Sequence, residues 1–344
     1  MYSESDIDAA IDAGALTPEA ADKFRAYMAA QKTAPAVDEE YVRLLSGFND
    51  IFVSIAIGLV IAATGVLTHG SGIAGLLIAA ESWILAEYFT RRRRMALPSI
   101  LLLLTYTGGL TSFAAHIVHG LLGAGVKLLQ DGGDPAILAT LAISAAAMAA
   151  ATYIHWRRFR VPITIAAGIG SVTFFCIALL LTAVPGLLPY WPGLVFLGGV
   201  GTFALALRWD MSDRARQTRR SDVAFWLHLL AAPMLVHPVF HSLGLLHNSG
   251  ASLMHAGLAI GIYLVLAVLA LLVDRRALLV SGLAYVLAAF TVVLRASGFI
   301  GEDLALTGLV AGAALLLLSA FWHKARQGVL RLVPTALRQA LPAV

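Results

Sequence analysis

A series of long apolar runs, punctuated by short arginine clusters, is what most constrains this chain. A helix needs about 20 apolar residues to cross a hydrocarbon core of about 30 Å. Ten stretches meet that length: approximately 50–68, 71–90, 97–120, 134–155, 161–183, 188–208, 222–245, 251–273, 277–296 and 303–322. Helices are required because an open strand in lipid leaves its backbone groups unsatisfied. The sequence therefore predicts an all-α, polytopic integral membrane helix bundle of ten transmembrane helices. Composition agrees. The chain is 59% hydrophobic and 13% charged, where soluble domains hold about 45–50% apolar and about 25% charged residues. A soluble globular protein, a disordered chain and a disulfide scaffold are excluded.

Lysine and arginine set the expected orientation. Arg91–Arg94 follow the second run, and Arg157, Arg158 and Arg160 the fourth. Arg208, Arg214, Arg216, Arg219 and Arg220 follow the sixth, and Arg275 and Arg276 the eighth. Lys324, Arg326, Arg331 and Arg338 follow the tenth, and only Lys127 and Arg295 fall on the other side. The positive-inside rule then places both termini in the cytoplasm. The net charge of +4 does not mark a nucleic-acid partner, because the bases sit where topology needs them. Cys176 is the single cysteine, so neither an intrachain disulfide nor a thiolate metal site can form. No secretory signal precedes the first run, so the chain is expected to insert whole.

Three regions follow. Residues 1–49 form an acidic cytoplasmic leader and linker with nine acids and four bases. Ser5 can cap a first helix that stops at Gly14, and Thr17-Pro18 starts a second. Residues 32–38 read as linker. The leader is either a solvated appendage or a handle for a protein partner. Residues 50–322 form the bundle, whose direct partner is the lipid bilayer. Residues 323–344 read as a basic amphipathic tail on the cytoplasmic leaflet, broken near Pro334. The third run ends HIVHGLLGAG (116–125) and the seventh HSLGLLHNSG (241–250). A four-helix unit repeated in parallel would produce that echo.

Ionisable residues inside a membrane are costly and are functional candidates by default. Glu81 sits near the middle of the second run, about 15 Å from either end. It is either a proton or cation relay or a neutral acid bonded to a neighbouring helix. Glu87 can pair with Arg91 one turn on. Six histidines gather at the outer ends of three runs: His116 and His119, His237 and His241, His247 in the following loop, and His255. Thr105, Gly109, Ser112, His116 and His119 share one stripe at about 100° per residue. Such a stripe should face protein or a water-filled cavity. Pro233 and Pro238 are expected to kink the seventh helix. His228, facing away from His237, reads as a satisfied core residue. If the three helices touch, an outward-facing histidine pocket follows. The imidazoles could then serve proton or metal coupling, hold a haem between two of them, or bond only to water and backbone.

Other features favour packing. Gly257 and Gly261, and Gly308 and Gly312, form GxxxG pairs, and Gly198, Gly199 and Gly201 cluster in the sixth run. A second copy of the chain is an admissible partner. Trp156, Tyr190, Trp191, Trp209 and Trp322 fall near membrane borders, where aromatic anchors sit. Arg295 can pair with Glu302 or Asp303, and Asp50 and Asp222 begin helices. No phosphate loop, GxSxG elbow or long soluble domain is present, so an ATPase or soluble-type enzyme is not expected.

The leader SDIDAAIDAGALTPEAADKFRAYM followed by YVRLLSGFNDIFVSIAIGLVIAATGVL resembles an uncharacterised family of bacterial polytopic membrane proteins. These carry a short N-terminal cytoplasmic helical segment ahead of many spans. The resemblance covers residues 1–90 and implies a bacterial inner membrane, with no reaction, substrate or cofactor attached. Three functions stay open from the residues. The first is a transporter of a small solute or ion, with Glu81 as relay beside Thr105, Ser112 and His116. The second is a membrane subunit holding a metal ion or haem at His116, His119, His237, His241 and His255. The third is a scaffold without chemistry.

Overall fold

The computed structural model describes residues 7, 10–24, 48–69, 72–122, 135–213, 219–242, 253–296 and 303–334. His247, Lys127, Arg214, Arg216, Arg338, Glu302, the Ser5 cap and the 32–38 linker lie outside them, as do the side chains of His119 and Asp303. The described residues contain helices and no strand.

Residues 1–42 and 43–344 form separate compact units. In the first, Gly14 takes a left-handed conformation (φ +67°). Its N–H donates to the Ile11 carbonyl and that of Ala15 to the Ala10 carbonyl, closing one helix. Thr17 Oγ1 accepts from the Ala20 N–H at 3.2 Å, opening the next.

The described residues of the second unit form eleven α-helices. They are α1 (Phe48–Leu67), α2 (Gly72–Ala86), α3 (Ala96–Leu122), α4 (Pro135–Phe159), α5 (Ile163–Ala183) and α6 (Trp191–Ser212). Then come α7 (Arg219–Ser242), α8 (Leu253–Val273), α9 (Ala277–Ala296), α10 (Asp303–Ala320) and α11 (Trp322–Arg331). A π-helical turn, Glu87–Arg92, extends α2, and a 3₁₀ turn, Pro185–Tyr190, precedes α6. Nine of the described helices are long and apolar enough to cross a membrane, and α10 with α11, bent by 75°, makes up to ten. α7 runs through Pro233 and Pro238 as one helix.

The core has the character expected of a bundle surrounded by lipid. Lipid tails are as apolar as leucine, so helices associate by close packing of small residues. Ala206, Ala224, Ala231, Ala232, Ala256, Ala259 and Ala289 are fully buried, while Leu59, Val66, Leu264, Val265, Val280 and Leu316 face outward. Sequential pairs form the tightest contacts: α2 with α3, α4 with α5, α6 with α7, and α8 with α9. α3 also packs on α4, α5 on α7, α7 on α9, and α10 on α9. These contacts, with the apolar exterior, make the chain an integral membrane protein in architecture.

Glycine placement separates two kinds of helix face. A methyl group on Gly75 would sit 2.6 Å from the Gly109 carbonyl oxygen, and one on Gly109 would sit 2.5 Å from that of Gly75. The α2 and α3 backbones therefore touch. Gly199 presses on the Met234 backbone of α7 in the same way, while Gly198 packs against the Thr173 side chain of α5. The GxxxG pairs behave otherwise. Gly257, Gly261, Gly308 and Gly312 have open space where a Cβ would stand. They serve no helix contact among the described residues, because α8 and α10 turn those faces outward.

The described part of the tail is α11, which buries one face on the bundle and exposes the other. Its Trp322, Arg326 and Leu330 are buried against the end of α8. Trp322 is thus a core residue, not a border anchor.

Candidate functional site

Glu81 stands near the middle of the 21-residue span Gly72–Arg92. Thr64 Oγ1 of α1 donates to Glu81 Oε1 at 2.7 Å. The second oxygen, Oε2, is buried without a partner among the described residues. One residue on, Ser82 and Thr105 hydroxyls meet at 2.7 Å between α2 and α3. Thr64, Glu81, Ser82 and Thr105 thus form a polar layer across three helices. An ionised carboxylate with an unmet buried oxygen is costly, because nothing replaces the water it loses.

The small-polar stripe of α3 faces α2. Thr105 meets Ser82, Gly109 meets Gly75, and the His116 ring lies against Gly72, where a methyl group would be 2.1 Å from Cδ2. Ser112 and His116 remain exposed. His237 and His241 lie on α7 with ring centroids 6.0 Å apart. The Tyr285 hydroxyl is hydrogen-bonded to His237 Nδ1, and Trp191 lies edge-on to His241. α7, α8 and α9 meet in one cluster of Val236, Phe240, Ala256, Ala259, Tyr285 and Ala289. α3 takes no part in it. Its extensive contacts are with α1, α2 and α4.

Nothing among the described residues brings the α3 imidazole of His116 together with those of α7: in the extensive contacts α3 packs on α4, α4 on α5 and α5 on α7. Among the described residues, no group of three His, Cys, Asp or Glu side chains is placed to hold a metal ion. His237 and His241, four apart on one helix, lie side by side and do not face each other across a gap, as axial haem ligands would.

A second polar centre joins α6, α7 and the α8–α9 turn. His228 Nε2 donates to Asp210 Oδ2 at 2.8 Å. Arg275 Nη2 donates to Asp210 Oδ1 at 2.5 Å, and its Nε approaches Oδ2 at 3.4 Å. All three side chains are at most 3% exposed. The turn that presents Arg275 is held by Asp274 in a left-handed conformation (φ 58°). That position usually takes glycine. Here the carboxylate is used: Trp322 Nε1 donates to Asp274 Oδ1 at 2.8 Å. Arg326 approaches the same oxygen at 3.7 Å and donates to the Leu271 carbonyl at 3.2 Å. Asp210 thus meets two donors, and Asp274 a donor and a cation.

A third centre surrounds His155 of α4, fully buried among Trp83, Tyr106 and Phe159. Thr164 Oγ1 lies 3.3 Å from Nδ1, and Nε2 has no partner among the described residues. At the exposed end of α2, Glu87 pairs with Arg91 as the spacing predicts, at 3.3 Å. It also accepts two hydrogen bonds from Arg158 of α4, at 2.6 and 3.0 Å.

His228 is a buried core residue whose Nε2 meets Asp210, and that partner was not legible. Asp210 lies two residues past the expected end of the sixth run, and Arg275 reads as one more cytoplasmic arginine. The remaining signal was that a carboxylate so close to a long apolar stretch needs a cation.

Comparison with known protein families, curated proteins and solved structures finds no match.

Proposed function

We propose that this chain is a ten-span protein of the bacterial inner membrane, with both ends cytoplasmic, that moves a small solute or ion by taking up and releasing a proton at Glu81. The observation that carries this reading is the Glu81 carboxyl group. It sits near mid-span, one oxygen is held by Thr64, and the other is buried and unmet. A buried carboxyl oxygen without a partner is costly, and ionisable groups inside a membrane mark proton and ion pathways. Thr64 supplies the hydroxyl that meets it, and the Ser82–Thr105 pair lies one residue on.

The orientation draws support from ion pairing. Glu87 with Arg158 links the end of α2 to the end of α4, and Asp210 with Arg275 links the end of α6 to the turn after α8. These are the ends to which the arginine distribution assigns the cytoplasm. The two pairs occupy matching places in α2–α5 and α6–α9. Arg160 and Asp274, both left-handed at φ 57° and 58°, occupy matching turns. Both correspondences favour a parallel four-helix repeat.

The test is proton movement in liposomes that hold the purified chain and an internal pH-sensitive dye. An imposed membrane potential should acidify or alkalinise the lumen with wild-type protein, and Glu81→Gln should abolish the response. An unchanged rate in Glu81→Gln would remove the proposal.

A further inference from the structure

The surroundings of Glu81 differ in the two directions along the bundle. Towards the α1–α2 turn, its carboxyl group is met by Thr64, three residues before the end of α1 at Leu67. At 1.5 Å per residue that is about 5 Å from the helix end. Thr68 stands one turn further on, its hydroxyl donating to the Thr64 carbonyl at 2.6 Å. Thr64 and Thr68 are half-buried, and His69 beyond them is exposed. A side chain on a helix leans toward the helix N-terminus, which for α2 is this same end. The seam between α2 and α3 is closed here by the Gly75–Gly109 backbone contact. The seam between α1 and α2 is far less extensively packed.

In the other direction the same three helices close on an apolar cluster. Ile57 of α1, Ala86 of α2 and Leu102 of α3 are buried together, with Val53, Ile61 and Leu85 packed on them. The next α1 hydroxyl on that side is Ser54, ten residues from Thr64, or about 15 Å. A water inside a protein needs about two to four polar partners. The Thr64–Thr68 face offers hydroxyls to one, and the cluster offers none.

We infer that Glu81 exchanges its proton with the aqueous phase at the α1–α2 turn, along the Thr64–Thr68 face of α1, and that the Ile57–Ala86–Leu102 cluster is the gate that must part before the proton can leave toward the opposite face. The step is the transfer of one proton between a carboxyl oxygen and water, and needs no other reactant. In the orientation proposed above, the turn lies on the outer face. The inference rests on Glu81 being the proton-exchanging group, but not on which membrane face the turn occupies.

The experiment reads which aqueous phase reaches position 81. Single cysteines are introduced into the full chain carrying Cys176→Ser, as Glu81→Cys, Thr64→Cys and Ala86→Cys. The exposed positions His69 and Arg92, changed to cysteine in turn, mark the turn face and the opposite face. A charged, membrane-impermeant methanethiosulfonate is applied to one side of sealed vesicles at a time. It reacts with thiolate, which forms where water reaches the sulfur. Glu81→Cys should be labelled from the face that labels His69→Cys and not from the face that labels Arg92→Cys. Ala86→Cys should be labelled from neither. Labelling of Glu81→Cys from the Arg92 face, from both faces or from neither would overturn the inference, as would labelling of Ala86→Cys from the Arg92 face. Should Glu81→Cys fail to fold, Thr64→Cys decides in the same terms. Labelling and flux fail separately. Proton movement that survives Glu81→Gln would remove Glu81 as the carrier whatever the labelling. Labelling from the Arg92 face, with movement lost in Glu81→Gln, would remove the access route alone.

Discussion

Asp210 and Glu81 are both carboxylates enclosed by apolar helices, and they are treated in opposite ways. Asp210 meets an imidazole and an arginine, both buried with it. Glu81 has one hydroxyl at one oxygen and nothing at the other among the described residues. A buried charge whose partners are complete holds elements together and has little freedom to change state. A buried acid with half its partners missing lacks that fixity. On the proposal above, Asp210 belongs to the architecture and Glu81 to the work.

The comparison breaks most visibly at Arg275. Arg275→Met strands Asp210 and should cost about 3–5 kcal/mol, read as a large drop in the unfolding midpoint and in the yield of folded protein. The double change Asp210→Leu with Arg275→Met should recover most of that loss, because an apolar pair of similar volume replaces a pair that was expensive to bury. A double variant as weak as the single one would mean that the pair does more than hold helices. The α2–α3 contact comes next. Gly75→Ala pushes a methyl group into a backbone carbonyl and should cost about 1–3 kcal/mol, whereas Gly257→Ala, with open space around it, should stay within about 0.5 kcal/mol. Glu81→Gln should change stability by less than about 1 kcal/mol while ending proton movement, which separates the two carboxylates by kind of effect. The smallest change belongs to Glu87. Its partner Arg158 is 42% exposed, so Arg158→Gln should lower the unfolding midpoint only slightly, and less at high salt.

Much of this architecture could be read from the chain, because hydropathy and helix length are local properties. The run 277–296 coincides with α9, and most other boundaries fall within four residues of the expected ones. The α3 stripe was legible for the same reason. Thr105, Gly109 and His116 share a face, and that face meets α2. Glu81 was legible as an outlier, since a carboxylate in an apolar run is visible without a fold. What could not be read was which distant groups meet. His116 and His237 sit at matching ends of their helices, yet sequence position says nothing of which helices α3 and α7 pack on. Asp210, His228 and Arg275 are spread over 65 residues and belong to three elements, so only packing brings them together. His155 lies just before Arg157 and Arg158 with nothing in the sequence to single it out, whereas four aromatic and hydroxyl neighbours enclose it. The GxxxG pairs failed for the converse reason: the motif permits close approach but does not supply a partner.

The most direct test is chemical modification of the two carboxyl groups in intact membranes. An apolar carbodiimide reacts with a protonated carboxylic acid within the bilayer and leaves a stable acylurea on that residue. After brief exposure, peptide mass spectrometry should find the adduct on Glu81 and none on Asp210. An adduct on Asp210 with Glu81 untouched would reverse the assignment of the two residues and contradict the account.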